Sequence, residues 1–188
     1  MSTKEKIVNS AVSLFIEQGV AKTTTKQIAK LASVAEGSIY RYYPSKDELA
    51  WQVFKNYHEY LATKLQASIE QDITIHQKIN SIVSCFLKLA DEDWLMFCYY
   101  LTSQHTHMDK VTVEMITPYR VLSNVVAQGI QEGEIKSVDV DVITAMVVGA
   151  VHQIAINKVY SRIEGDLYDH RELVSDTLIK MIEGNSDE

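Results

Sequence analysis

The chain has 188 residues, 46% apolar and 23% charged, which is enough to bury a real core as one large or two small domains and excludes a disordered chain. Seven Gly and two Pro are too few for the many turns of an all-β fold. The net charge of −7 is uneven: residues 1–50 hold seven Lys/Arg against five Asp/Glu, net +2, and the remainder holds eleven against twenty, net −9.

In chain order, Ser2-Thr3-Lys4-Glu5 is a Ser-x-x-Glu capping box, and Ile7, Val8, Ala11, Val12 and Phe15 follow on one stripe. These predict a first helix over 3–18, stopped by Gly19. Thr24-Thr25-Lys26-Gln27 opens a second, ending near Ala32, and a break at Ser33–Ala35 leads to a third over 36–43. Pro44 ends that one, because it lacks an N–H and biases Tyr43 away from helix. Ser45-Lys46-Asp47-Glu48 caps a fourth, which runs to about Ser68 on Leu49, Val53, Tyr57, Tyr60, Leu61 and Leu65. Further helices are expected over 75–90, 94–101, 110–129 with a kink at Pro118, 138–163 and 167–182, with Asn185–Glu188 fraying. The fold class is all-α, about nine helices.

The amino end has the pattern of a soluble amphipathic helix rather than a signal peptide, and the longest apolar run, 142–156, is too short to span a bilayer. Cys85 and Cys98 lack metal or redox spacing and read as reduced core thiols of a cytoplasmic protein. His105, His107 and Asp109 lie two apart and face different ways on a helix, so no metal site is expected. No nucleophile elbow, phosphate loop or zinc-protease signature is present, which predicts neither catalytic residues nor a cofactor.

Two short helices joined by about three residues, the second too short to be core, form a helix-turn-helix layout that places the second helix in a DNA major groove. Residues 1–48 are therefore the expected DNA-binding domain, and 49–188 the ligand-binding and dimerisation domain. With Ile39 and Tyr43 turned inward, Ser38, Arg41 and Tyr42 share the outer face, and Arg41 has the donors to read a guanine edge. Thr24 and Thr25 stand at a helix N-terminus, where they can cap it, hold a phosphate or do both. Gly37 lets the third helix approach DNA closely, or relieves packing against the second. Glu36 repels phosphate or accepts from cytosine N4, and its residue type leaves both open.

Gly19, Thr23-Thr24, Ile28-Ala29, Gly37, Ile39-Tyr40, Tyr43 and Pro44-Ser45-Lys46 together resemble the TetR family of transcriptional regulators, over about 30 residues. Ser33, where the family usually has Gly, and Ala35, where it usually has Ser or Asn, depart from that pattern. The resemblance implies phosphate contact by Tyr40 and Lys46, a homodimer, a pseudo-palindromic double-stranded operator, and release of DNA when an effector binds. It also implies that the last two long helices pair with their mates, placing Met146, Gly149, Ala150, Gln153, Leu178 and Ile182 at the dimer interface. Phe86, Trp94, Phe97, Tyr100, Met108 and Tyr119 are the candidate lining for a small apolar or aromatic effector. The competing expectation, a helical protein-interaction adaptor, leaves the first 50 residues without a purpose.

Overall fold

The computed structural model describes residues 1–69, 73–136 and 139–183. Among them the chain is all-helical: α1 (Thr3–Gln18), α2 (Thr25–Ala32), α3 (Gly37–Tyr42), α4 (Lys46–Ala67), α5 (Ile75–Glu92), α6 (Trp94–His107), α7 (Pro118–Glu132), α8 (Val140–Val159) and α9 (Arg171–Glu183). Short 3-10 turns occupy Met108–Lys110 and Leu167–His170. The helices form two compact units, Met1–Tyr57 with Leu95–Thr112, and His58–Trp94 with Val113–Glu188.

In the first unit, α1 starts at a complete capping box, Ser2 with Glu5, and stops at Gly19, whose φ of 83° suits a residue without Cβ. Ile7, Ala11, Val12 and Phe15 pack inward with Ile28, Ala29, Ile39, Leu49, Phe54 and Phe97. The turn between α1 and α2 is tied by polar groups. The buried Thr23 hydroxyl donates to Gly19 O at 2.8 Å, and Lys46 Nζ donates to Thr23 O at 2.7 Å and Ala21 O at 3.3 Å. Tyr99 of α6 donates its hydroxyl to Ala50 O at 2.8 Å, against a backbone carbonyl of α4.

In the second unit, α5 packs against α7, α8 and α9, burying Ile75, Ile79, Ile82, Val83, Phe86 and Leu87. Gly129 permits this closeness: a Cβ there would lie 2.8 Å from Ile75 Cγ2 and 2.7 Å from Ile135 Cδ1. Lys158 of α8 meets Asp91 of α5 at 2.7 Å, with both side chains largely buried. The Tyr168 N–H donates to the other Asp91 oxygen at 2.9 Å, and the Lys158 ammonium stands 4.8 Å from the Trp94 ring centroid.

Several boundaries differ from the sequence expectation. Pro118 does not kink a helix but starts α7, in the first turn, where its missing N–H costs no intrahelical bond, and the Thr117 hydroxyl caps it. The helix expected over 110–129 is thus preceded by a 3-10 turn and irregular chain, while α6 continues past Leu101 to His107. At its other end, α8 stops at Val159 rather than Ile163, with Ser161 at φ 53°. Leu167–His170 is a 3-10 turn, and α9 proper begins at Arg171. The expected helix start at Val138 and the fraying of Asn185–Glu188 lie outside the described residues. With 20 residues, α8 is long and apolar enough to cross a bilayer by length and composition, contrary to the reading of 142–156 as too short.

Two outcomes test these contacts. Burial acts to raise the Asp91 pKa, but the Lys158 hydrogen bond and the backbone N–H groups of Tyr168 and Leu167 outweigh it and hold the carboxyl below its ordinary value. A depressed folded pKa stabilises the fold above the unfolded carboxyl value, near 4, and that contribution is lost as pH falls through the folded pKa. Urea titrations at stepped pH will therefore show wild-type stability dropping below about pH 4 more steeply than that of Asp91→Asn. Gly129→Ala, which forces Ile75 and Ile135 apart, lowers unfolding free energy by about 1–3 kcal/mol in the same assay.

Candidate nucleic-acid interface

The site begins at Thr24, whose extended backbone and side chain complete a capping box with Gln27: the hydroxyl accepts from the Gln27 backbone N–H, and the Gln27 side-chain Oε1 accepts from Thr24 N–H at 2.8 Å. At the other end of α2, Ser33 adopts the left-handed conformation, φ 54° and ψ 46°, and its N–H bonds to Ala29 O and Lys30 O. Ser33 thus takes the turn geometry usually given to glycine. Val34 N–H returns to Ala29 O at 3.0 Å, and the chain re-enters helix at Gly37.

Only six residues long, α3 is anchored by Ile39, fully buried, and by Tyr43 at its C-terminal end, 5% exposed. The Tyr43 N–H closes the last turn on Ile39 O at 2.9 Å. Burial also raises the pKa of the Tyr43 hydroxyl. Anchoring through these two turns the opposite side outward. Tyr40 is 53% exposed and Tyr42 39%, Gly37 and Arg41 are exposed, and Ser38 is half-buried. The Arg41 guanidinium lies over the Tyr42 ring, 5.0 Å from its centroid, and donates to the Tyr42 hydroxyl at 3.2 Å, so each side chain restrains the other.

Gly37 has no positive φ and nothing within 4 Å of where a Cβ would stand, so relief of packing against α2 is not its purpose. The Lys46 ammonium, expected to point at DNA, spends two of its donors on the carbonyls of Ala21 and Thr23. Thr25 and Glu36 were missed as a pair. The Thr25 hydroxyl donates to Glu36 Oε1 at 2.5 Å, which leaves the Tyr40 hydroxyl, 3.3 Å from Thr25 Oγ1, as the donor in that second contact. Eleven residues separate Thr25 from Glu36, and no periodicity links them.

The six candidate pocket residues are divided between the units. Phe97 and Tyr100 are buried in the first, 6.1 Å apart by ring centroid and both beside Tyr57, and Met108 is exposed on the 3-10 turn. Phe86, Trp94 and Tyr119 belong to the second. There Phe86 stacks on His152 at 5.5 Å, Trp94 carries Lys158, and the exposed Tyr119 donates its hydroxyl to Asp141 at 3.2 Å. Burial pushes His58 and His152 down to about 4, with the charge of His152 adding to the shift on His58, so both rings are neutral near pH 7. His107 is buried beside the Tyr99 hydroxyl, 3.3 Å from Nε2, while His105 is exposed.

Of the candidate dimer residues, Met146, Gly149 and Gln153 are exposed along α8 and Ala150 is half-buried beside them. Leu178 and Ile182 are instead buried within their own chain, and the exposed side of α9 carries Leu173, Thr177 and Met181. The two stripes of α9 are one residue apart in register, and both carry large apolar residues, Leu178 and Ile182 on one and Leu173 and Met181 on the other. Periodicity alone therefore did not say which one faces inward.

Two family models match consecutive parts of the chain: "Bacterial regulatory proteins, tetR family" over residues 7–53, and "YsiA-like protein, C-terminal region" over residues 54–183. The chain belongs to the TetR family. It is a DNA-binding transcriptional regulator of that family. Among TetR-like relatives, the fatty acid metabolism regulator protein of Bacillus subtilis (strain 168) is 27% identical over 154 residues, 79% of each chain. The "Probable acrEF/envCD operon repressor" of Escherichia coli (strain K12) is 23% identical over 193 residues, covering 96% of this chain and 87% of that one. In fold, the fatty acid degradation regulator FadR from Bacillus halodurans superposes with a TM-score of 0.82 at 19% identity, over 100% of this chain and 98% of that one. FadR from Bacillus subtilis, solved in complex with stearoyl-CoA, gives 0.75 at 23% identity, over 94% and 97%.

Proposed function

We propose that this TetR-family chain acts as a cytoplasmic homodimer. It presents α3 of each subunit to successive major grooves of a pseudo-palindromic operator, and lets go when an apolar, acyl-bearing effector binds in the regulatory part of the chain, residues 49–188. The observation that carries the DNA-binding half is the orientation of α3: its two large anchors are buried, and Arg41, Tyr40, Tyr42 and Gly37 are turned to solvent. In this reading Arg41, prearranged by Tyr42, reads a base edge, Thr24, Ser38 and Tyr40 contact phosphate, Lys46 offers phosphate the one donor it does not spend on its own chain, and Thr25 stays bonded to Glu36. Gly37, with open space where a Cβ would stand, lets the backbone approach the duplex.

The dimeric half rests on α8 and α9. Only 28% of the most apolar window of α8 is buried by its own chain, and Val142, Met146 and Gly149 lie exposed alongside Leu173 and Met181 of α9. An apolar stripe on each of two helices is what an isologous helical interface requires. The acyl effector draws support from two relatives, one named for fatty acid metabolism and one solved with stearoyl-CoA. No part of this reading needs a catalytic residue.

Selection from a pool of random-sequence duplexes will yield a two-fold symmetric site, and stearoyl-CoA added to that complex will lower its fluorescence anisotropy. The free protein will run as a dimer by light scattering, and Met146→Arg as a monomer. A protein that selects no sequence, or whose complex ignores every acyl-CoA offered, refutes the corresponding half. Arg41→Ala will weaken the selected duplex by about 1–3 kcal/mol and relax one base preference per half-site, leaving the dimer intact.

A further inference from the structure

We propose that Glu36 is a specificity-determining residue of the DNA-binding face: its carboxylate withholds the Thr25 hydroxyl from the phosphates of non-cognate DNA and reserves this corner of the site for a base that offers an amino group. The inference deepens the DNA-binding reading above and rests on it. Glu36 immediately precedes α3 but makes no side-chain cap to that helix. Its carboxylate instead reaches across to α2, where Oε1 accepts a hydrogen bond from the Thr25 hydroxyl. The Tyr40 hydroxyl then donates to Thr25 Oγ1. Both protons of this exposed chain, Tyr40 to Thr25 to Glu36, run toward the carboxylate.

A phosphate oxygen is an acceptor only, so it can take the Thr25 proton only by displacing Glu36, and that displacement leaves two anions side by side; the Tyr40 proton is donated only to Thr25 Oγ1 and is freed without moving Glu36. Sequence-independent binding, which is made almost wholly of phosphate contacts, is the mode this penalises. Base-edge contact escapes the penalty. Oε2 has no protein partner among the described residues, and Glu36 is exposed. A cytosine N4 amino group can therefore donate to Oε2 while Oε1 keeps Thr25 and the chain stays intact.

The test compares wild type, Glu36→Gln and Glu36→Ala on two probes by fluorescence anisotropy: a random-sequence duplex and the duplex that wild type enriches from a random pool. Glutamine retains an acceptor for Thr25 and removes the charge; alanine removes both. Both variants are expected to bind the random duplex about tenfold more tightly than wild type, each subunit losing one repulsive charge. Glutamine should also shift the enriched base facing residue 36 from cytosine toward adenine, whose N6 and N7 match its amide. Misfolding cannot produce a gain in affinity, so the first readout stays decisive if a variant loses some stability. Unchanged random-duplex affinity in both variants, or a rise in Glu36→Ala alone, overturns the proposal. Wild type that enriches no sequence at all removes the DNA-binding reading itself and this role with it.

Discussion

The geometry of the DNA-binding face depends on the burial of two side chains, Ile39 and Tyr43. A six-residue helix has no stability of its own in water, since nucleation costs more than one or two turns return. Burying Ile39 alone contributes on the order of 2 kcal/mol, and that burial fixes the rotation of α3 about its axis. Once the rotation is fixed, the outward positions follow from helical spacing, and Arg41, Tyr40 and Tyr42 have no other direction to face. The proposed recognition surface is a by-product of packing on the opposite side.

The anchors need a rigid frame, and polar ties provide much of it. Thr23 and Lys46 bind the turn between α1 and α2 to the start of α4, and the Thr24 box and the left-handed Ser33 fix both ends of α2. The Tyr99 hydroxyl bonds to the backbone of α4 at Ala50. The Tyr100 ring also packs on Phe54, 5.7 Å between centroids, so α6 from Leu95 onward belongs to the same compact unit as the helix-turn-helix. Lys46 shows how one residue type carries two readings. A lysine near a helix start in a DNA-binding motif suggests phosphate, yet the nearest unpaired carbonyls belong to its own chain.

Much of the fold was legible because its signals are local. Capping boxes at Ser2 and Thr24, the stop at Gly19 and the inward pair Ile39/Tyr43 each involve residues within one or two turns, where a single chemical requirement dictates the residue type. Pro118 was misread because a proline both breaks a helix and begins one, and only the position of Thr117 as its cap decides between them. The aromatic cluster proved harder. Phe97 and Tyr100 sit on the same helix as Trp94, but they are core of one unit while Trp94 belongs to the other. Aromatic content marks burial without saying among which partners. The Thr25–Glu36 contact lies beyond any periodic rule, because a turn brings together residues whose spacing in the chain carries no message.

The case of α8 shows how an apolar helix is interpreted differently once its neighbours are known. In sequence it resembles either a core helix or a membrane span, being apolar on nearly every side. In the structure Ile143, Val147, Val151 and Ala155 face its own chain, while Val142, Ala145, Met146 and Gly149 do not. A helix end paired as Lys158–Asp91, with both side chains largely buried, is a costly feature for a lipid-spanning segment. In a subunit with a mate, one face belongs to the fold and the other to the proposed partner. Gly149, open to solvent with nothing near its absent Cβ, stands on the uncovered face, where a small residue allows two helix backbones to come close. The same division holds for α9, where Val174, Leu178 and Ile182 are spent on the core, leaving Leu173 and Met181 exposed for the proposed second copy.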